Sequence, residues 1–599
     1  MVLIKIWSVG IIFLLVAGCG GNDSKNSVPL LSFNTPSEVA EGSLVTLVSS
    51  STDMDGYIVS HEWAQLSGPS ITLGVVSETT VTFFAPDVSE DQELEFSLRI
   101  VDDSGAEVVK EGIFLTVLAS LADSSKISAS SIVIDDTNES PFIASIDIAG
   151  DLTKVQQVKV SVLPKTGANS DPFVTRFLPV DFSSNEELAS LPVVGLYEDF
   201  TNTIEISLLF EDDSNLAFEI QVEASKFYGP FTLEVTHAVN PSMRPAYSFF
   251  YLQSPANGPT IVDIDGEFRW VELPKEPLLD PAPTGSGIGQ SILEDNGKFV
   301  VAVENKIGHI ALDGSSSFTE IKSSSMTEIR SHHDLDKGKF GYLVEIDATY
   351  LNTDTRIIES ILIDVNLEGD IFNTWDFGRI LSDYMIENGD DPSMFIRDGH
   401  DWFHINSAIY YEKGNSLIVS SRENFVIAID YDTSKIKWLL GDETKHWYVN
   451  FPSLRNLSLS SSDVKPIGQH SLSMVDRGLL LFNNGQASFQ QPDGEPAGKV
   501  LETSAASIYE IDEEAKSALL IWDYDAGIYS DICSSVYEFN QSDEYLITYT
   551  AAGRLNKDEP YYAYIQSIDH SGSLLFELKL SQANPYCATA FQASPLTLN

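Results

Sequence analysis

Apolar and polar positions alternate along this chain in short runs, and turn residues separate the runs. Between residues 31 and 119, runs such as 43–47 and 59–63 lie on either side of the acidic turn Asp53-Met54-Asp55-Gly56. Alternation indicates strands with one buried face, and turn signals spaced by roughly 10 residues are typical of a β-sandwich. Residues 31–119 are therefore predicted to form a small β-sandwich.

A second β-rich segment covers residues 120–257. Gly195 and Asn202 bracket a predicted turn, and the residues that follow, 204–208, alternate as a strand. This pattern predicts a second small β-sandwich whose role is to support the rest of the protein rather than to carry chemistry.

Residues 258–599 contain a degenerate repeat in which an apolar strand, an acidic or glycine turn and a second strand recur. Six such hairpins follow one another at intervals of about 50 to 80 residues. They are Val262–Trp270, Ile310–Phe318, Ile363–Trp375, Ile427–Trp438, Ile508–Trp522 and Ile568–Phe576. The repeat lacks helical periodicity and suits four-stranded blades around a central channel. The predicted fold is all-β: a six-bladed β-propeller preceded by two small β-sandwich domains.

Composition limits the possible partners. The chain has 88 acidic against 35 basic residues, a net charge of −53. This charge excludes nucleic acid and an anionic membrane surface, and an anionic substrate would need a locally basic pocket. Three cysteines are present, Cys19, Cys533 and Cys587, and the sequence leaves open whether the last two form a disulfide.

Side chains that recognise a tetrahedral oxyanion are concentrated between residues 401 and 422. His404 and Asn406 lie in the stretch Asp401–Ser407, and Arg422 follows the apolar strand 416–419. That strand would bring both groups to one sheet edge. Imidazole, carboxamide and guanidinium groups all donate hydrogen bonds to anions. Two further motifs contain histidine, His332-His333-Asp334 and Gly468-Gln469-His470-Ser471.

Taken in order, these motifs resemble those of the bacterial aryl sulfotransferase family, which moves a sulfuryl group between phenols without the nucleotide donor PAPS. The resemblance covers about residues 130–599. It implies a phenolic sulfate donor, a phenol acceptor and no metal or other cofactor. Three features depart from the family, one of them the added N-terminal module at residues 31–119. A short Cys-to-Cys loop before His470 is missing, and the closing aromatic-Arg-Ala motif here reads Phe591-Gln592-Ala593.

The resemblance also assigns catalytic roles. His470 is the nucleophile, forming a sulfohistidine in a ping-pong reaction, a role that suits imidazole near neutral pH. Arg422 would bind two sulfuryl oxygens, Asn406 would donate one hydrogen bond to the substrate, and His404 would donate another or relay a proton.

Either His332 or His333 would protonate the leaving phenolate, while strand alternation would point the other away; the choice stays open. Asp334 and Asp401 are candidates for orienting a histidine nitrogen. His400 and His446 are interpreted as loop residues.

Three alternatives remain open at this stage. Each histidine beside an aromatic residue is alternatively a structural one. The enzyme is alternatively an aryl sulfate hydrolase, in which water takes the sulfuryl group from His470. The propeller is alternatively a surface module that binds a glycan or a protein partner. A homodimer also stays open.

The N-terminal part predicts export and anchoring. Residues 31–119 resemble the PKD-like immunoglobulin modules of bacterial surface proteins, with Trp63 in the core and a turn at 53–56 that is solvated or binds calcium. An apolar run from Ile11 to Ala17 is shorter than the ~20 residues of a membrane span, so residues 1–18 are predicted to be a signal peptide. Small residues before Cys19 resemble a lipobox, with an ordinary signal peptide as the alternative.

Residues 19–30 form a predicted polar tether. We therefore expect an exported lipoprotein, anchored by lipid on Cys19 in the periplasm, at the outer membrane or on the surface of a Gram-negative bacterium.

Overall fold

The computed structural model describes ten stretches of the chain. They are residues 26–122, 126–132, 140–178, 188–228, 232–254, 258–272, 291–294, 297–554, 562–581 and 590–597. The predicted signal peptide, Cys19 and Cys587 lie outside the described residues, so acylation and export stay predictions. Among the described residues, no helix has the length and apolar character that a membrane crossing requires.

The protein is all-β, with 54% of its residues in strands, and it divides into two compact units. Unit 1 comprises Met1–Ser128, Ala149–Val158 and Ser207–Ala217, and unit 2 comprises the remainder. The division passes through strands of the predicted second sandwich. Three short α-helices occur in the described residues: α1 (Phe377–Glu387), α2 (His446–Asn450) and α3 (Pro452–Arg455).

The N-terminal segment forms the two sheets that its alternating pattern predicts. Its strands are β1 (Phe33–Asn34), β2 (Glu38–Ala40), β3 (Leu44–Ser49), β4 (Ile58–Ser67), β5 (Gly74–Ser77), β6 (Thr80–Phe84), β7 (Gln92–Asp102) and β8 (Glu107–Leu118). The sheet orders are β1-β3-β6-β5 and β2-β8-β7-β4. Trp63 lies in the core between them, as predicted, and packs edge-on against Phe33 with ring centroids 6.1 Å apart.

The middle segment contributes two further sheets, ordered β13-β10-β9 and β12-β11-β14-β15. Its strands are β9 (Ile127–Ile132), β10 (Ile143–Gly150), β11 (Val155–Val162), β12 (Phe173–Phe177), β13 (Leu188–Val194), β14 (Phe200–Phe210) and β15 (Asn215–Ala224).

The predicted turn of this segment is confirmed. Buried Asn202 closes it, accepting from the backbone N–H of Tyr197 at 2.8 Å and donating to its carbonyl at 2.9 Å. Gly195 has φ +87°, and a Cβ there would lie 2.2 Å from the Phe173 ring. Only glycine fits at this position.

The described residues between 233 and 596 form six antiparallel sheets. The strands are β16 (Leu233–His237), β17 (Phe249–Ser254), β18 (Gly258–Asp263), β19 (Phe268–Val271), β20 (Ser291–Leu293), β21 (Lys298–Val303), β22 (Lys306–Ala311), β23 (Ser316–Glu320), β24 (Met326–Lys337), β25 (Tyr342–Tyr350), β26 (Arg356–Val365), β27 (Ile371–Asp376), β28 (Ile405–Tyr411), β29 (Ser416–Ser421), β30 (Val426–Asp430), β31 (Ile436–Leu440), β32 (His470–Val475), β33 (Gly478–Asn483), β34 (Ala505–Asp512), β35 (Ser517–Asp525), β36 (Ser535–Glu538), β37 (Tyr545–Ala552), β38 (Tyr562–Ile568), β39 (Leu574–Ser581) and β40 (Gln592–Leu596).

Four of these sheets are consecutive meanders, β20 to β23, β24 to β27, β28 to β31 and β32 to β35. A fifth runs β36-β37-β38-β39-β16, and the sixth joins distant parts of the chain in the order β40-β17-β18-β19. All six predicted hairpins are confirmed, because each supplies the third and fourth strands of one sheet.

A buried ion pair joins β18 and β19 to the turn at Gly195. Arg269 and Asp263 are fully buried, with 3.2 Å between Nη1 and Oδ2. The guanidinium also donates to the Gly195 carbonyl at 2.7 and 3.0 Å and stacks on the Tyr197 ring at 3.8 Å. Burial raises the pKa of Asp263 to about 6 although Arg269 opposes this.

Replacing Arg269 by methionine is expected to lower the free energy of unfolding by about 3–5 kcal/mol at pH 7, because Asp263 is left buried without its cation. The loss should shrink at pH 5, where the carboxyl group takes up a proton. Urea unfolding at both pH values measures this. The control is Arg330→Met, whose ion pair with Glu304 is more than a third exposed and should change stability by less than about 1 kcal/mol. Equal losses in the two variants would contradict the prediction.

Candidate active site

Irregular backbone, rather than regular strand geometry, brings the predicted site residues together. The pairing register shifts within β24, β28 and β32, and a non-glycine residue with positive φ lies within the shift in β24 and β32 and directly before β28. These residues are His333 (+59°), His404 (+56°) and Ser471 (+54°). A bulge redirects side chains, and left-handed backbone at such residues is a strain that often occurs at functional sites.

Four predicted histidines and one aromatic ring form the centre of the site. The ring centroids of His333 lie 4.6 Å from His404, 5.1 Å from His332 and 6.1 Å from Phe591. The His470 ring lies 6.4 Å from Phe591 on another side. The alternation expected to separate His332 from His333 does not hold, because the bulge between Ser331 and Leu335 keeps both rings in one cluster.

His470 is buried and held in one tautomer. Its Nδ1 lies 2.7 Å from Oδ1 of Asn484, whose amide nitrogen donates to the carbonyls of Ser530 and Cys533. The amide oxygen therefore faces the imidazole, so Nδ1 carries the proton and Nε2 keeps its lone pair. The backbone N–H of Cys533 points at this Nε2 from 3.2 Å. Burial and the charge of Arg422 hold the pKa of His470 well below its usual value, so the ring is neutral.

Gly468 and Gln469 fix the path of the backbone that leads into His470. Gly468 has φ +64°, and a Cβ would lie 2.6 Å from the Gln486 carbonyl, so the predicted tight turn requires glycine. Gln469 is fully buried and donates to the Ser421 carbonyl at 2.9 Å. Asn406 donates its side-chain N–H to the Gln469 carbonyl at 2.8 Å. Asn406 thus holds the segment that leads into His470, and its predicted hydrogen bond to the substrate stays a prediction.

Cys533 forms a disulfide. The sequence left open whether Cys533 pairs with Cys587, which lies outside the described residues. Cys533 and Ser534 both have left-handed backbone, with φ +55° and +81°. The segment that supports Asn484 and Nε2 of His470 is therefore covalently restrained.

Arg422 is buried, and only part of its guanidinium group is hydrogen-bonded. Its Nη1 donates to Glu423, and its guanidinium stacks on Phe489 at 4.3 Å. Its Nη2 is buried without a hydrogen-bond partner among the described residues. Glu423, which sequence reasoning missed, also accepts from the backbone N–H groups of Phe489 at 2.8 Å and Gln490 at 3.1 Å. It anchors both the arginine and the loop that covers it.

His404 is held between two carboxylates. Its Nδ1 lies 2.7 Å from Asp401 and 2.5 Å from Glu359. Burial disfavours the charged ring, but the two carboxylates outweigh it and hold the pKa of His404 well above its usual value. Asp401 is thus an orienting residue, as predicted. Glu359 lies on β26, in a part of the chain without a motif, so no sequence signal identifies it.

The other histidines differ in charge. Burial lowers the pKa of His333 to about 4, against the opposing effect of Glu359, so His333 is neutral. His332 contacts Asp347 at 3.0 Å, and the carboxylates around it raise its pKa despite burial. Neutral His333 therefore contacts two imidazoles whose pKa values are raised, His332 and His404.

Several predicted residues have other roles. Asp334 is buried and bonds to Ser407, Gln592 and the Leu335 N–H, so it orients strands rather than a histidine nitrogen. His400 lies in an exposed bend, as predicted. The loop assignment of His446 is wrong. It begins α2, is 2% exposed and lies 2.9 Å from Glu495, because Phe395 and Phe451 pack against its ring.

Two overlapping triads have the spacing of a metal site. They are His332, His333 and Glu359, and Glu359, Asp401 and His404; in each, the ligand atoms lie within 4.8 Å of one another. The hydrogen bonds between these imidazoles and carboxylates account for the same spacing without an ion.

An aromatic cluster supports the loop that ends at His404. Helix α1 begins at Phe377 after its N-cap Asp376, and Phe377 stacks on Phe403 with ring centroids 5.1 Å apart. Trp402 packs between Phe395 and Phe403. Phe403, the residue before His404, is thus held in place by the hydrophobic core.

Fold and site together define an all-β protein whose sheets bring buried imidazoles and a guanidinium together. The chain belongs to the arylsulfotransferase family, described as Arylsulfotransferase (ASST), whose profile matches residues 235–592. Residues 36–112 match a second profile, which describes a PKD domain.

Two curated relatives carry the printed name arylsulfate sulfotransferase AssT. That of Lelliottia amnigena is 22% identical over 386 residues, which is 52% of this chain and 60% of that protein. That of Escherichia coli O6:H1 is 27% identical over 150 residues, or 22% of this chain and 24% of that protein. The chain thus spans less than two thirds of the length of either relative.

One solved structure, a protein of unknown function from Bacteroides thetaiotaomicron, aligns with 93% of this chain and 98% of its own. Its identity is 10% and its TM-score is 0.21.

A buried acid behind the site leads to a stability prediction. Glu345 is fully buried, its Oε2 accepts from the Asp334 N–H at 3.3 Å, and its Oε1 has no hydrogen-bond partner among the described residues. Burial and the nearby charge of Asp334 raise the pKa of Glu345 well above its usual value. An acid with a raised folded-state pKa stabilises the fold fully below its unfolded pKa, and stability is lost as the pH rises through the folded value.

Glu345→Gln should therefore raise the midpoint of thermal unfolding at pH 8 and change it little at pH 4, because the amide keeps the shape and cannot ionise. Thermal unfolding followed by circular dichroism across this range measures the effect. The exposed Glu320→Gln serves as the control and should show no such trend. A variant less stable than the wild type at pH 8 would show that the carboxylate is ionised and paired.

Proposed function

We propose that this protein is a PAPS-independent aryl sulfotransferase that moves a sulfuryl group from a phenolic sulfate ester to a phenol acceptor. The observation that carries the proposal is the state of His470. Its ring is neutral, and Asn484 accepts from Nδ1–H, so the lone pair is on Nε2, which becomes a nucleophile once the Cys533 N–H releases it. Membership of the arylsulfotransferase family supports the same chemistry.

We also propose that the six sheets between residues 233 and 596 are the blades of a six-bladed β-propeller. Contacts join the inner strands of successive sheets, from β20 to β24, β28, β32, β36 and finally β40. The pairing of β40 with β17 completes one sheet from both ends of this region, as ring closure requires. The four site histidines, His332, His333, His404 and His470, lie on or directly before the inner strands β24, β28 and β32.

The first half-reaction transfers the sulfuryl group to the enzyme. Nε2 of His470 attacks sulfur, the bond from sulfur to the aryl oxygen breaks, and the leaving phenolate takes a proton from protonated His404. Arg422 Nη2 donates to one sulfuryl oxygen, and the Cys533 N–H, which donates to Nε2 in this structure, moves from Nε2 to a second sulfuryl oxygen as the bond to sulfur forms. Positioning and electrostatics supply most of the catalysis.

The second half-reaction reverses these steps. The acceptor phenol gives its proton to His404, its oxygen attacks sulfur, and the bond from sulfur to Nε2 breaks. His470 returns to its neutral state and His404 to its charged state, so neither a metal nor a nucleotide is consumed. We assign this proton to His404 rather than to His333, because His333 is neutral and His404 is protonated; His332, whose pKa is also raised, stays the alternative acid.

His470→Ala should lose transfer by about 10³-fold or more, together with the burst of phenol that marks a covalent intermediate. Arg422→Lys should lose about 10²–10³-fold, because an ammonium group cannot occupy the position of Nη2 and also pair with Glu423. The assay uses a chromogenic aryl sulfate with and without a phenol acceptor, and mass spectrometry maps the residue sulfated by donor alone.

The control is His570→Ala, whose histidine is exposed, and it should keep full activity. A sulfated tyrosine, or full activity of His470→Ala, would contradict the proposed nucleophile. Phenol release that does not depend on the acceptor would identify a hydrolase. No turnover of any aryl sulfate, combined with glycan or protein binding, would favour the binding module.

A further inference from the structure

We propose that Glu359 is a positioning residue of the transfer reaction. One of its carboxylate oxygens holds His404 as a proton donor and His333 as a neutral imidazole with an acceptor nitrogen. The inference rests on the proposed function and deepens it. Oε2 of Glu359 lies 2.5 Å from Nδ1 of His404 and 3.1 Å from Nε2 of His333.

The geometry fixes which nitrogen of each ring remains available. His404 directs Nδ1 at Glu359 and Asp401, so its proton for the phenolate is the one on Nε2. Neutral His333 donates Nε2–H to Glu359, and its Nδ1 is then an acceptor. One carboxylate thus supports an acid and an acceptor whose ring centroids are 4.6 Å apart.

The backbone at Glu359 is built to aim this side chain. Its φ is +46°, a left-handed value that strains the backbone of a non-glycine residue. The register of β25 and β26 shifts after Ile346, and Asp347 accepts from the Glu359 N–H at 2.9 Å. The same carboxylate of Asp347 contacts His332 at 3.0 Å and Arg356 at 3.0 Å. A strained position supported by this network indicates a function beyond packing.

The charges around His404 explain why Glu359 matters. The groups that face it from the surrounding elements are Asp401, Glu359, His332, His333, Glu345, Arg422, Glu423 and His470. Within the described parts of the chain, only Asp401 and Glu359 contact the ring as carboxylates. Without Glu359, burial and the neighbouring imidazoles oppose the proton on His404, and Asp401 alone supports it.

The test uses two donors that differ in leaving group. Phenyl sulfate releases a basic phenolate that needs an acid, whereas 4-nitrophenyl sulfate releases a weakly basic one that does not. Glu359→Gln should lower kcat/KM by about 10²-fold for phenyl sulfate and by less than about fivefold for 4-nitrophenyl sulfate. The ratio of variant to wild-type activity on phenyl sulfate should also fall by about tenfold between pH 6 and pH 9, as His404 loses its proton earlier.

The matched control is Glu328→Gln. Glu328 also has left-handed backbone, with φ +51°, but it is exposed and accepts from the Thr349 hydroxyl instead of an imidazole. It should leave both donors and the pH profile unchanged. If Glu359→Gln does not fold, Glu359→Asp carries the test. Its shortened carboxylate should also lower kcat/KM more for phenyl sulfate than for 4-nitrophenyl sulfate, but by a smaller factor than Glu359→Gln.

Equal losses for the two donors, or an unchanged pH dependence in a folded variant, would overturn the inference. These outcomes are distinct from failure of the proposed function, in which the wild-type enzyme itself would transfer sulfuryl from neither donor.

Discussion

The pairing of β40 with β17 is the constraint on which the site depends. Five residue pairs join Phe249–Gln253 to Gln592–Leu596 across more than 300 positions of sequence. Phe591, just before β40, is fixed by its N–H to the Gln253 carbonyl at 2.8 Å and by the Thr550 hydroxyl on its own carbonyl at 3.0 Å. Its ring can then contact both His333 and His470. If the pairing of β40 with β17 opened, His333 and His470 would lose the aromatic ring that both contact.

Buried cations lie in the site although the whole chain is strongly acidic. The whole chain carries −53, yet Arg422, Lys445 and protonated His404 are gathered within the site. Each of these cations has its own hydrogen-bond or ion-pair partners. Lys445 donates to the carbonyls of Arg422 and Glu423 at 3.3 and 3.0 Å, while burial lowers its pKa to about 8. Low local polarity strengthens each contact with an anion, so a few buried cations act effectively at short range despite an acidic surface.

Local signals were readable from the sequence, whereas long-range geometry was not. The six hairpins, the turn at Gly195 and the tight approach at Gly468 follow from residue types and spacing within a few positions. Glu359 and Glu423 could not be recognised, because their function arises from contacts across sheets rather than from a motif. The prediction for His332 and His333 assumed regular alternation, which a bulge removes, and a bulge has no reliable signature in a single sequence. His446 was missed because aromatic packing from Phe395 and Phe451, not its neighbours, decides its burial.

The left-handed backbone at His333, His404 and Ser471 affects how this protein can be engineered. Glycine adopts such conformations without steric cost, but at His333 or His404 it would leave the carboxylates of Glu359 and Asp401 buried without their imidazole partners, a larger loss than the strain it relieves. At Ser471 it would remove the hydroxyl that donates to the Val536 carbonyl at 3.2 Å. Thermostability and the proposed sulfuryl transfer therefore both depend on the imidazoles of His333 and His404. A library meant to improve the first should hold them constant and seek its gains in the exposed turns of the outer strands.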